Sequence, residues 1–183
     1  MSTPDQSYEH LVETRVDSNT VYRGNFLEVR RDRVKLPDGS ESAREYIVHP
    51  GAAVMVPLFD DGRVLIERQF RYPLGQVFVE VPAGKRDPGE SFIATARREL
   101  LEETGYEAAE WAYLTRLHPA IGFADEVLEI YLCRGLKHVG RRLDEGEFLE
   151  TETVTIDWML ERSEEHTSEL QSRQYLVCRL LLE

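Results

Sequence analysis

Between Gly84 and Tyr106 the chain reads GKRDPGESFIATARRELLEETGY, and this stretch limits what the rest of it can fold into. The run from Phe92 to Thr104 lacks proline and glycine. With Ser91 before it as N-cap and Gly105 after it, that run predicts a helix held between two turns. Ile93, Ala96 and Leu100 fall on one side and must pack on a core. Glu99 and Glu103 are four residues apart and Glu102 is one turn from Glu99, so the carboxylates share a face. Like charges at that spacing destabilise a helix, and a divalent cation reverses the cost. Hard carboxylate oxygens suit Mg²⁺ or Mn²⁺, which also take phosphate oxygens. A solvated acidic helix face is the plain alternative. Against it stands the register of Gly84, Glu90 and Arg98 with the glutamates: G-x5-E-x7-R-E-U-x-E-E-x-G-U, with U apolar. Arg98 is placed to orient the glutamates by hydrogen bonds. Glu90 serves either as a further metal contact or as support for the helix N-terminus.

That spacing is the pattern of the Nudix box, and the chain resembles a Nudix hydrolase, with Tyr106 where an aliphatic residue is usual. The resemblance implies an α/β fold: a mixed β-sheet sandwiched between helices, preceded here by a small N-terminal antiparallel sheet. It implies divalent metal, Mg²⁺ with Mn²⁺ as substitute, held by Glu99, Glu102, Glu103 and the backbone carbonyl of Ala83. Metal there neutralises a diphosphate and activates the attacking water.

Outside the box, YRGNFLEVRRDRVKLPDG, HPGAAVMVPL, ERQFRYP, VEVPAGKRDPGE and HPAIGFADE resemble the ADP-ribose pyrophosphatase subfamily. The subfamily implies hydrolysis of ADP-ribose to AMP and ribose 5-phosphate. Its arginine on the diphosphate corresponds to Arg71, whose guanidinium fork suits two phosphate oxygens. Tyr22 and Phe26 are the candidates for adenine contact, and the proline that follows the box is matched by Pro119. Glu126 falls in a loop that the subfamily uses near substrate, and Glu80 is placed to contact substrate or metal. The general base of related enzymes is a glutamate in a late loop. In Leu143–Glu147 that implies Glu147 first and Glu145 second, joining Glu103 and Arg98 in the catalytic set. A homodimer through the N-terminal sheets is implied as well. Two other readings stay open: a Nudix enzyme for another nucleotide sugar such as GDP-mannose, and a Nudix-fold module that binds such a ligand without cleaving it.

The remaining segments divide the chain into four stretches. Residues 1–18 read as a frayed end. Residues 19–50 read as a β-meander, with alternation over Thr20–Leu36, a turn at Pro37-Asp38-Gly39-Ser40, and a return strand over Arg44–His49. Residues 51–161 carry the hydrolase domain. Strands are predicted there at Ala52–Phe59, Val64–Phe70, Val77–Val81, Trp111–Leu117, Val127–Cys133 and Phe148–Ile156, with a closing helix from Asp157.

Residues 162–183 resemble no protein segment. Reverse translation gives a short-read sequencing adapter without mismatch over Arg162–Ser172 and again over Leu176–Glu183, so this tail is set apart as an artefact. The chain has 183 residues and a formal net charge of −12. The tail carries Arg162, Arg173 and Arg179 against Glu164, Glu165, Glu169 and Glu183, so the acidity belongs to the preceding residues. Such acidity disfavours nucleic acid and anionic membranes as partners. It suits a small nucleoside diphosphate substrate where metal and a few arginines offset the charge. With Cys178 in the tail, Cys133 stands alone and forms no intrachain disulfide. Together with the polar N-terminus MSTPDQSYEH, this predicts a cytoplasmic protein.

Overall fold

A computed structural model describes residues 6–143 and 146–165. They fall into two compact units. The first contains the described residues up to His49 together with Ala120–Glu126, and the second contains Pro50–Pro119 with those from Val127 onward.

The first unit is an antiparallel meander of β1 (Thr14–Arg23), β2 (Glu28–Lys35) and β3 (Glu41–Val48). Gly24 donates its amide to the Leu27 carbonyl at 2.8 Å and turns the chain between β1 and β2. The predicted alternation over Thr20–Leu36 is therefore two strands. The expected frayed end is also corrected: a 3-10 turn occupies Gln6–Leu11, and β1 begins at Thr14. The reason is long-range, since Thr14 to Ser18 pair with Lys35 to Asp32 of β2 and Asp17 receives Arg33 at 2.8 Å. Between β2 and β3, Gly39 takes the left-handed φ of +86° and Asp38 accepts from the amide and hydroxyl of Ser40. Ile47 bridges to Ala124, and the His49 amide donates to Asp125 at 2.7 Å, which fastens the 120–126 segment to β3.

The second unit stacks three layers. A four-stranded sheet runs β7 (Ala83–Lys85), β4 (Ala52–Pro57), β9 (Leu128–His138), β8 (Tyr106–Leu117), with β4 and β9 parallel and the other pairs antiparallel. A three-stranded antiparallel sheet runs β10 (Leu149–Thr155), β5 (Arg63–Arg71), β6 (Gln76–Glu80). Strand β4 is buried throughout, as its continuous apolar run requires. Its Ala52, Val54 and Val56 pack with Val64, Ile66, Val81, Leu128 and Ile130, joined by Met159 of α2 (Ile156–Glu165). Its Ala53 and Met55 face the other way, against Ala96 and Leu100 of the box helix. Each large side chain buried in this way contributes about 1.5–3 kcal/mol.

The stretch read as a Pro-Ala-Gly loop is the short strand β7, paired with β4 at Ala83↔Val54 and Gly84↔Ala53. Strands β8 and β9 run longer than expected, because they pair with each other out to Tyr106↔His138. Helix α2 runs on across the boundary drawn after Glu161 as far as Glu165. The rest of the tail lies outside the described residues. Among the described residues no helix is long and apolar enough to cross a membrane.

Candidate active site

The box folds from local instructions. Ser91 accepts the Ala94 amide at 3.3 Å and starts α1 (Phe92–Glu99). The helix does not continue as predicted. From Leu100 to Thr104 it widens into a π turn, and Gly105 ends it at φ +77°. A π turn rotates the chain less per residue than an α turn. It brings Glu103 closer into line with Glu99 and swings Glu102 aside. The burial agrees: Glu103 is 5 % exposed, while the side chain of Glu102 keeps 30 % of its surface.

Glu99 lies directly over Gly84. A Cβ built at Gly84 would stand 1.8 Å from the Glu99 carboxyl carbon, so β7 must carry glycine there for the glutamate to sit where it does. Arg98 ties the loop and helix together. It donates to both oxygens of Glu90 at 3.1 and 3.0 Å, to Glu102 at 2.9 Å and to the Lys85 carbonyl at 3.1 Å, and its Nη1 lies 2.9 Å from Glu99. Glu90 also accepts the Thr95 hydroxyl at 2.7 Å and the Asp87 amide at 3.2 Å. These bonds, with Arg98 foremost, pull Glu90 down to about 2. Glu90 is thus committed to Arg98 and the helix start.

Glu99 and Glu103 are shifted the opposite way. Burial pushes Glu99 up to about 7, although Arg98 opposes it. Burial also raises Glu103 well above the ordinary carboxylate range, helped by the charges of Glu67, Glu99 and Glu147, while the Ala83 amide donates to it. The Oε2 of Glu103 is sealed from solvent with no hydrogen-bond partner among the described residues. Glu147, half-buried ahead of β10, makes its charge felt at Glu67, Glu99 and Glu103. Glu145 lies outside the described residues.

Arg71 and Glu80, each expected at the substrate, are paired with one another. Nε and Nη2 of Arg71 donate to one Glu80 oxygen at 2.9 and 2.6 Å. The second unit thus brings together Arg71, Glu80, Ala83, Arg98, Glu99, Glu102, Glu103 and Glu147. Tyr22, Phe26 and Glu126 belong to the first unit. There the two aromatics are exposed, and Glu126 stands 3.8 Å from His49 Nδ1. Sequence reasoning passed over Glu67, which is 3 % exposed on β5, and Arg141, whose charge bears on it. The available signal for Glu67 was a single acid ending the apolar run Val64-Leu65-Ile66.

Residues 49–175 match the NUDIX domain family. The chain belongs to the Nudix family. Its residues 13–47 match a second family, the nucleoside diphosphate sugar hydrolase N-terminal domain. An ADP-ribose pyrophosphatase of Bacillus subtilis is 38% identical over 149 residues, covering 80% of each chain. An ADP-ribose pyrophosphatase of Mycobacterium tuberculosis is 41% identical over 134 residues, 73% of this chain and 64% of that one. A methanol dehydrogenase activator of Bacillus methanolicus is 36% identical over 151 residues, 81% of this chain and 82% of its own. The crystal structure of an ADP compounds hydrolase superposes with a TM-score of 0.80 at 23% identity, covering 92% of this chain and 91% of that one, and so shares the fold.

Nudix hydrolases generally use divalent metal ions. Among the described residues no three His, Cys, Asp or Glu side chains stand together as a ready metal cage. Arg98 instead occupies Glu99 and Glu102. The donor set nonetheless fits a small hard cation. Glu103 offers a buried, unpartnered oxygen, and the glycine at position 84 leaves room for Glu99 beside the Ala83 backbone.

Proposed function

We propose that this Nudix pyrophosphohydrolase cleaves the diphosphate of ADP-ribose with Mg²⁺, releasing AMP and ribose 5-phosphate. The observation that carries the reading is the buried, unpartnered Oε2 of Glu103 beside an Arg98-anchored Glu99 and Glu102. The substrate is suggested by the two relatives named ADP-ribose pyrophosphatase, at 38% and 41% identity.

Glu99, Glu102, Glu103 and the Ala83 carbonyl hold the ion, for which Mn²⁺ substitutes. When bound, the ion supplies positive charge against the diphosphate and acidity to water. Arg98 keeps Glu99 and Glu102 oriented from behind. Glu147 accepts the proton of the water that attacks phosphorus, and the bond from that phosphorus to the bridging oxygen breaks. Arg71 turns its guanidinium fork from Glu80 to the diphosphate, leaving Glu80 to contact substrate. Tyr22, Phe26 and Glu126 contact the nucleoside portion, and two chains associate through their N-terminal sheets in the cytoplasm.

Product analysis with Mg²⁺ tests this, offering ADP-ribose, GDP-mannose, NADH and diadenosine polyphosphates side by side. AMP with ribose 5-phosphate, from ADP-ribose alone, is expected. The match of residues 13–47 to a nucleoside diphosphate sugar hydrolase domain favours a second reading, a wider range of nucleotide sugars. Cleavage of GDP-mannose would select it. Glu103→Gln separates enzyme from binding module. Turnover should fall by at least about 100-fold while ligand affinity persists, and undiminished turnover would sink the metal assignment.

A further inference from the structure

Strand β5 carries Glu67, which is 3 % exposed and whose charge bears on Glu103 of the box. Glu67 pairs in register with Glu80 and shares a sheet face with Arg71. Its Oε1, like Oε2 of Glu103, is sealed from solvent without a hydrogen-bond partner among the described residues. Each acid lies in the field of the other. Glu67 is the strongest neighbouring charge on Glu103, ahead of Glu99. Two cations bear on Glu67, but both are engaged elsewhere: Arg141 donates to the Leu149 carbonyl at 2.8 Å and Arg71 donates to Glu80. Neither forms an ion pair with Glu67 among the described residues.

A buried carboxylate with a free oxygen is costly, and two within one another's field are costlier. A fold that keeps both in place of apolar residues needs something to balance them. Hard carboxylate oxygens, buried and without hydrogen-bond partners, suit a small divalent cation. We propose that Glu67 is a further carboxylate of the cation site, supplied by β5 and not by the box, and that it forms with Glu103 the buried side of that site. This rests on the reading of the chain as a divalent-ion-dependent hydrolase.

The test is a titration of the full chain with Mn²⁺ alone, following the electron paramagnetic resonance signal of free Mn²⁺, without substrate. Glu67→Gln keeps the shape and removes the charge. It is expected to bind Mn²⁺ at least about 10-fold more weakly, or to bind one ion fewer. Its thermal midpoint in EDTA should match or exceed the parent's, because a buried charge has gone. Glu67→Asp keeps the charge and withdraws the oxygens. It should weaken Mn²⁺ binding as well, and serves if the amide variant does not fold. Parent-like Mn²⁺ binding by either folded variant overturns the proposal and leaves Glu67 as a structural charge balanced by Arg141. Glu103→Gln, titrated alongside, keeps the two failures apart. If Glu103→Gln weakens binding and the Glu67 variants do not, only Glu67 is misassigned. If the parent itself takes up no Mn²⁺, the metal reading of the box falls too.

Discussion

The two units of this chain are held by different means. In the first, every residue of β1 is exposed, and Val21, Tyr22 and Phe26 face solvent. Cross-strand ion pairs such as Arg33 with Asp17 and Glu41 lie at the surface, where solvent screens them. In the second, β4 is buried on both faces and two apolar clusters flank it. Among the polar groups buried there are two acids near the box, Glu67 and Glu103, together with Thr95, Thr104 and Glu129. The difference shows where strain is affordable. Among the described residues the second unit holds two buried carboxylates, Glu67 and Glu103, in one another's field, whereas the first unit buries only one, Asp32, which accepts the Tyr46 hydroxyl at 3.2 Å, and keeps its ion pairs at the surface.

The largest blow to this contrast should come from Leu100→Ala. Leu100 is fully buried at the start of the π turn, so the change should cost about 2–5 kcal/mol in urea unfolding. A loss near zero would mean that the box helix is not anchored through that cluster. Next in size is Gly84→Ala, which must displace Glu99 while leaving both apolar clusters untouched. Activity should fall about 10- to 100-fold with the unfolding midpoint nearly unchanged; equal activity would show that Glu99 need not lie over the loop.

A shallower effect follows from pH. The folded chain holds a proton on Glu99 up to about 7, against 4.5 for a free carboxyl. Between these values the unfolded chain binds fewer protons. The contribution is therefore intact below about pH 4.5 and is lost as pH rises through about 7. Glu90 runs the other way: its contribution is present above the ordinary carboxyl value of 4.5 and is lost only as pH falls through about 2. In EDTA, urea midpoints should therefore decline from mildly acid to mildly alkaline pH, and added Mg²⁺ should flatten the slope by taking the proton's place. A rising midpoint would mean that the folded cluster is already ionised. Smallest of all should be Arg33→Ala in the exposed sheet, with turnover unchanged and the urea midpoint within error of the parent. A marked loss would show that the first unit relies on its ion pairs after all.

What the sequence disclosed follows the range of the forces involved. Ser91 and Gly105 act within a few residues, so the helix start and the helix end were legible. Strand β1 was missed as far back as Thr14, because its partner is β2 and not its own neighbours. The segment 120–126 was read with the hydrolase domain. Its bond to the His49 amide, just past β3, spans 76 residues and leaves no local mark. Glu67 was passed over because its face is fixed only by pairing with β6. The widening of the helix at Leu100 had no signal in residue type, since Leu, Glu and Thr are all compatible with a regular helix.

That wider turn makes the box sensitive to length as well as to identity. A π turn holds one residue more than the α turn it replaces. Removing any single residue between Leu100 and Thr104 would restore a regular helix while rotating the buried carboxylate away from its partners. Natural variation in this segment is therefore expected as substitutions and not as insertions or deletions, because the shortest route to a better helix is also the shortest route to a dead site.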